Sequence, residues 1–277
     1  MRRLPKKIIA LITAGAIVLL LAFICIGMQI AFVKADKIKC WRPEYERTDI
    51  GAILDKPELT AFDYAELYRQ TGLTKLGVDR TLKTYGKDRV LRIQDDFFTE
   101  HEVKNDFFAP FVCTDFIDEH ITYAALENGD IIVTSSTHLS GWRMGHAGLV
   151  TEAATQSVLQ ASAIGSSSAI GSIRDFTDRV NFMIFSPVAD EETKAQVVDY
   201  AVNNLTGIVY DPTAGVFSKK NSLTKTQCAH LVWYAYNYFG MDLDSNGRLV
   251  VTPRDLANSP QMQLVQVFGF NPFTLWR

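Results

Sequence analysis

The sequence has few of the features that define several large classes of protein. Four cysteines among 277 residues are too few for a disulfide framework. The net charge is −3, and no basic tract indicates nucleic-acid binding. The glycines form no phosphate-binding loop, and no cysteines and histidines stand at zinc-site spacing. The sequence therefore predicts no nucleic-acid partner, no metal and no cofactor.

One long apolar stretch stands at the N-terminus. It runs over residues 8–33 with Gln29 as its only strongly polar residue, and it follows Arg2, Arg3, Lys6 and Lys7. About 20 apolar residues can cross a bilayer, and cations on one side favour the cytoplasm for that side. Residues 1–34 are therefore predicted to be a single membrane anchor in a bacterial-type cell envelope, with the rest outside the cytoplasm. A signal segment cleaved after Ala35, giving a secreted protein, is the alternative.

Residues 35–124 are predicted to be mostly helical. Apolar positions recur at helical spacing in 59–70, 74–85 and 89–98, and Gly72 and Gly86 act as stop signals after the first two. The segment carries many charges and no obvious chemistry. We interpret it as a helical linker or cap, and the sequence leaves open whether it gates a site or spaces it from the bilayer.

Residues 125–277 alternate between strands and helices. Short apolar runs predict strands over 131–134, 146–150, 157–161, 181–185 and 264–268. Helical patterns follow over 190–204 and 228–239, and the Ser- and Gly-rich stretch 161–172 predicts a loop that either lies on the surface or lines a cleft. Strands with helices packed on one side indicate an α+β fold.

Cys228 and His146 are the residues best suited to nucleophilic catalysis. Cys228 opens an apolar helical run, where the helix N-terminus and a nearby imidazolium would lower the pKa of a thiol. The first-turn N–H groups could also stabilise an oxyanion. His146 opens a predicted strand and could act first as a base toward the thiol and then as an acid toward a leaving group. His230 lies two residues after Cys228, on a different helix face, which excludes it as the base.

Three segments carry a resemblance to a known family. They are, in order, 129–133 (GDIIV), 145–150 (GHAGLV) and 227–233 (QCAHLVW). This ordered set resembles the circularly permuted NlpC-type papain-like family, in its YiiX-type branch, over roughly residues 125–270. The resemblance implies a permuted papain-like α+β fold, with the cysteine at a helix N-terminus against a small antiparallel sheet and with a third polar residue orienting the histidine.

The resemblance also suggests the remaining site residues. Gln160 occupies the position of the orienting residue, where many permuted members have an acid, and its carbonyl oxygen can still accept from the imidazole. Glu152 is the alternative, because alternation along a strand would keep it on the face of His146. Tyr210 stands where the superfamily often has a tyrosine near the nucleophile, either at the oxyanion and substrate or as an ordinary rim residue.

Three functions follow from these residues. The first is a membrane-tethered cysteine amidohydrolase or endopeptidase that cleaves cell-wall peptides. The second is a lipid acyl hydrolase or acyltransferase, because segment 227–231 (QCAHL) is also similar to the Asn-Cys-Glu-His-Phe sequence of the lecithin retinol acyltransferase family. The third is a non-catalytic envelope scaffold. Two minor features stay open: a disulfide between Cys40 and Cys113, and weak calcium binding by the EF-hand-like half-loop 242–247, for which a turn is the alternative.

Overall fold

The computed structural model describes residues 5–35, 40–109, 112–139, 142–217 and 219–276. Helix α1 (Lys6–Ala35) contains a stretch, Lys6–Ile30, that is long and apolar enough to cross a membrane. Such a helix could anchor the chain in a membrane, and an N-terminal signal sequence has the same properties. Arg2 and Arg3, two of the four cations that predict its orientation, lie outside the described residues.

Over the described residues 40–98, four helices follow α1, and the three predicted from periodicity are confirmed. They are α2 (Gly51–Leu54), α3 (Ala61–Thr71), α4 (Lys75–Tyr85) and α5 (Lys87–Phe98). Thr60 and Asp63 form a capping box that begins α3. Gly72 ends α3 in the left-handed conformation, with φ of 70°, which glycine adopts without steric cost.

The end of the predicted helical segment is extended, and the prediction is wrong there. Strands β1 (Val103–Ala109) and β2 (Val112–Ile117) pair with each other, and β2 also pairs with β4 (Thr137–Leu139), which in turn pairs with β5 (Trp142–Arg143). The result is a four-stranded antiparallel sheet in the order β1-β2-β4-β5. Asp115 lies on the buried side of β2, so the apolar alternation that identifies strands is missing from the sequence.

A six-stranded antiparallel sheet forms the centre of the fold. Its strands are β3 (Ile131–Thr134), β6 (His146–Glu152), β7 (Ser157–Gln160), β8 (Ala169–Ser172), β9 (Phe182–Pro187) and β10 (Met262–Phe268), in the order β10-β9-β3-β6-β7-β8. The other helices are α6 (Arg174–Thr177), α7 (Glu191–Asn204), α8 (Cys228–Asn237) and α9 (Pro253–Ala257). The chain is therefore a mixed α+β protein, as the sequence predicts.

Helices cover both faces of this sheet, not one face as expected. Along β3, Ile131 and Val133 pack against α7, α8 and α9, whereas Ile132 packs against α3, α4 and α5. Successive side chains point to opposite faces, so a strand covered on both sides is apolar at every position. The helices before residue 124 thus share a core with the sheet and do not form a separate cap.

Candidate active site

Cys228 is the first residue of α8, where the N–H groups of the first turn have no partner within the helix. Gln227 caps this end, and its Oε1 accepts from the N–H of Ala229 at 2.9 Å. The thiol of Cys228 donates to the same oxygen at 3.4 Å. Helix α8 packs against β6, and the N–H of Ala147 is directed at the sulfur. The fold therefore brings Cys228 next to the residue that follows His146.

His146 is the first residue of β6 and is held by an aromatic neighbour. Its ring stacks on Phe176 with 4.9 Å between centroids and 7° between planes. Gly148, two residues along the same strand face, leaves room for Phe176, because a Cβ there would lie 2.7 Å from its Cζ. Stacking of this kind fixes the plane of the imidazole.

Gln160 fixes the tautomer of His146. The two residues lie on neighbouring strands, since Gly148 pairs with Gln160, and the His146 Nε2 is 2.7 Å from the Gln160 Oε1. The amide nitrogen of Gln160 donates to Asp175, so its oxygen is the atom turned toward the imidazole. An amide oxygen only accepts, and therefore Nε2 carries the ring proton and Nδ1 is left unprotonated as a potential base.

Asp175 is a site residue that the sequence analysis missed. It lies in the short helix α6, where its Oδ2 accepts from the Gln160 amide and from the N–H of Ser172 at 3.2 Å. Gly171 makes this contact possible, because a Cβ at that position would lie 2.1 Å from Gln160 Nε2 and 2.7 Å from Asp175 Oδ2. A carboxylate thus stands behind the amide that orients His146. The glycine-rich segment 161–172 was the available signal, but its spacing does not identify Asp175.

Burial dominates the protonation of the pair and overrides the expected low pKa of the thiol. Cys228 and His146 are each 7% exposed. Burial raises the pKa of the Cys228 thiol to about 11, although nearby backbone N–H groups act in the opposite direction. Burial also lowers the pKa of His146 to about 4, although Gln160 and the charge of Asp175 raise it. Both groups are therefore neutral in the resting site at physiological pH.

Tyr210 and Glu152 have different surroundings. Tyr210 is partly buried. Its backbone forms a parallel β-bridge with Thr226, which lies two residues before Cys228 in the sequence. Burial, followed by the proximity of Cys228, raises the pKa of its hydroxyl. Glu152 is exposed at the end of β6, where it accepts from the N–H of Ala154 at 3.3 Å. The structure therefore places Tyr210 close to Cys228, whereas Glu152, the alternative orienting residue, lies at the exposed end of β6.

His230 has structural partners. Its Nδ1 lies 2.9 Å from the Thr226 hydroxyl, and its Nε2 lies 2.7 Å from the carbonyl oxygen of Lys220. Both ring nitrogens are thus engaged on the side of α8 that holds the preceding loop. This agrees with its exclusion as the base.

The half-loop 242–247 is organised by protein contacts. The Asp242 Oδ1 accepts from the indole N–H of Trp233 at 2.7 Å, and Asp244 pairs with Lys220. Carboxylates used in this way favour the turn over a calcium site. Cys40 and Cys113 are both free thiols, so the disulfide considered from the sequence is not formed.

Comparisons with protein-family models, with curated proteins and with solved structures find no match to this chain.

Proposed function

We propose that the chain is a cysteine-dependent amidohydrolase or endopeptidase of the permuted papain-like type. The observation that carries the proposal is the ordered contact from His146 to Gln160 to Asp175, beside a cysteine at the start of a helix. A nucleophile, a base and a group that orients the base are the components of a covalent acyl-transfer site. Asp175 strengthens the case because it supplies the negative charge that Gln160 lacks.

The proposed reaction begins from the neutral pair. Nδ1 of His146 accepts the proton of the Cys228 thiol as the sulfur attacks the substrate carbonyl, and the oxygen of that carbonyl becomes an oxyanion. The N–H groups of Cys228 and Ala147 are directed at the sulfur and could stabilise that oxyanion. The intermediate collapses as His146 returns the proton to the leaving amine, which gives an acyl-enzyme. Water then attacks the acyl-enzyme, with His146 again as the base, and releases the acid and the thiol.

The N-terminal helix supports a substrate in the cell envelope. Its apolar stretch could hold the chain at a membrane, and the cations before it favour an external location for the rest. Cell-wall peptides are amide substrates within reach of such a domain. We therefore propose envelope peptides as the substrate class.

A second candidate, hydrolysis or transfer of a lipid acyl group, is favoured by exposed apolar side chains beside and after Tyr210 in the sequence. Val209 precedes Tyr210, and its carbonyl oxygen accepts from the N–H of Thr226 at 3.0 Å. Val216 and Phe217 follow in the same loop, and Val209 and Phe217 are 51% and 87% exposed. Apolar side chains exposed beside a membrane-tethered site suit an acyl chain.

The first experiment measures alkylation of Cys228 in the full chain in detergent, using iodoacetamide and mass spectrometry of the peptide that contains it. We expect His146→Ala to slow the reaction at pH 7 by about 100-fold, the usual contribution of a general base. Gln160→Ala should slow it less, and Glu152→Gln, the matched control, should leave it unchanged. Equal rates in the wild type and His146→Ala, with full reaction after unfolding, would overturn the proposal and favour the scaffold.

A Cys228→Ser variant distinguishes the two substrate classes. The wild type should release free amine from cell-wall muropeptides, and Cys228→Ser should not. Release of fatty acid from phospholipid vesicles, without release of amine, would instead select the lipid acyl activity.

A further inference from the structure

A second cluster of reactive side chains lies on the four-stranded sheet, apart from Cys228. Cys113 and Asp115 are two residues apart on β2 and therefore share a face, and His138 of β4 is the direct cross-strand partner of Cys113. All three side chains are buried, with exposures of 0%. One sulfur, one carboxylate oxygen and one imidazole nitrogen lie within 4.8 Å of one another.

We propose that Cys113, Asp115 and His138 bind a divalent transition metal ion, with Zn²⁺ as the best fit. Thiolate, imidazole and carboxylate are the ligand types that zinc uses, and three protein ligands with a fourth position are a common set. Magnesium and calcium prefer sites made only of oxygens, so the thiol disfavours them. The proposal does not depend on any activity of Cys228.

The distance between two of the ligands agrees with a metal site. His138 Nε2 and Asp115 Oδ1 are 3.3 Å apart. Two ligands at about 2.0–2.1 Å from a tetrahedral zinc ion are separated by about 3.3 Å. A charge-assisted hydrogen bond between the same groups would be shorter, at about 2.7–2.9 Å. The two groups can form a hydrogen bond at this distance, and the same spacing fits two ligands of one zinc ion.

The surroundings of Asp115 suit a ligating carboxylate. Arg143 donates to its other oxygen, Oδ2, at 2.9 Å and also to the carbonyl oxygen of Ser135 at 3.2 Å. Such an outer contact leaves Oδ1 turned toward His138 and fixes its direction. The side chain of Asn105, from β1, also donates to Oδ1. A metal ion would take over that oxygen, and the amide of Asn105 could rotate to present its own oxygen as the fourth ligand.

Sequence spacing could not identify this cluster. Cys113 and His138 are 25 positions apart and meet because β2 pairs with β4. The N–H of Gly145, the residue before His146, donates to the carbonyl oxygen of Thr137 at 2.8 Å. A metal on His138 would therefore also brace the hairpin that leads into β6.

The test is the metal content and cobalt spectrum of the full chain, purified in detergent under reducing conditions. After equilibration with Zn²⁺ and removal of the excess, we expect about one zinc ion per chain by elemental analysis. Cys113→Ser and Asp115→Asn should each lose most of it. The control Cys40→Ser removes a thiol outside the cluster and should retain it.

The absorption spectrum of bound Co²⁺ tests the site in the wild type alone and so does not depend on whether a variant folds. Co²⁺ added to the wild type should produce a thiolate-to-metal charge-transfer band and the strong visible bands of a tetrahedral ion, and Zn²⁺ should abolish both. A wild type with no bound zinc and no such bands would overturn the proposal. So would a zinc content that stays the same in Cys113→Ser, because the metal would then be held elsewhere.

Discussion

Gly171→Ala is a single-methyl test of the contact behind His146. The added Cβ would lie 2.1 Å from the amide nitrogen of Gln160 and 2.7 Å from the carboxylate of Asp175, so the two side chains must separate. The backbone tolerates the change, because the φ angle of Gly171 lies outside the positive region that only glycine adopts easily. Alanine should even favour the strand by about 0.5–1 kcal/mol. The perturbation therefore acts on the site and not on the ability of β8 to form.

The size of the effect follows from the hydrogen bond that is lost. A hydrogen bond to a charged group is worth about 1.5–3 kcal/mol, and each 1.36 kcal/mol in a barrier changes a rate tenfold. If the orientation of His146 depends on this bond, the rate of Cys228 alkylation should fall by about 10- to 100-fold. Asp175→Asn should have a similar effect, since it removes the charge that supports the imidazole.

The assay is alkylation of Cys228 at pH 7, followed in parallel with urea unfolding. Ile170→Ala, a change at an exposed position of the same strand, is the matched control and should not alter the rate. A Gly171→Ala chain with wild-type stability and wild-type reactivity would refute the role of Asp175. If Gly171→Ala both slows alkylation and greatly lowers the free energy of unfolding, the alkylation rate of Asp175→Asn decides whether Asp175 has this role.

Three further predictions concern stability and pH, each measured by urea unfolding. Arg80→Ala should cost about 3–5 kcal/mol, because it leaves the carboxylate of Asp130, 0% exposed and 3.1 Å from Arg80 Nη1, without its charge partner. Thr60→Ala removes the hydroxyl that accepts from the Asp63 N–H and should cost about 1 kcal/mol; no change would mean that water replaces the cap. Burial depresses the pKa of His146 to about 4 in the folded chain. Acidification from about pH 6.5 toward pH 4 should therefore lower the free energy of unfolding by up to about 1.4 kcal/mol per pH unit. His146→Gln should lack this part of the pH dependence.

The sequence predicted the parts of the fold in which periodicity and end signals agree. β3 and α7 match their predicted positions, since an apolar run and an acidic N-terminus define them locally. The strands β1 and β2 were missed because β2 buries Asp115 between Cys113 and Ile117 on the same face. A buried carboxylate breaks the apolar alternation, and only the pairing of these strands shows that the residue is buried.

The candidate site divides in the same way. Cys228 and His146 could be proposed from local sequence, because a helix start and a strand start are local features. Asp175 could not be proposed in this way, because it contacts Gln160 and not His146. That contact depends on the pairing of β7 with β8 and on the lack of a side chain at Gly171. The burial that keeps Cys228 and His146 neutral was also invisible, since it depends on both faces of the central sheet being covered.

The Gln160–Asp175 arrangement has a chemical consequence that a direct carboxylate would not have. A glutamate hydrogen-bonded to His146 would stabilise the imidazolium strongly and favour an ion pair with a Cys228 thiolate. Here the charge lies one side chain further away, and the amide transmits orientation more than charge. Burial keeps the imidazole neutral down to about pH 4, because Gln160 and the more distant Asp175 raise its pKa only in part, and His146 remains available as a base across the physiological range. Such a site suits attack by a thiol that loses its proton to His146 only as the sulfur attacks, whether the electrophile is a substrate or an alkylating reagent.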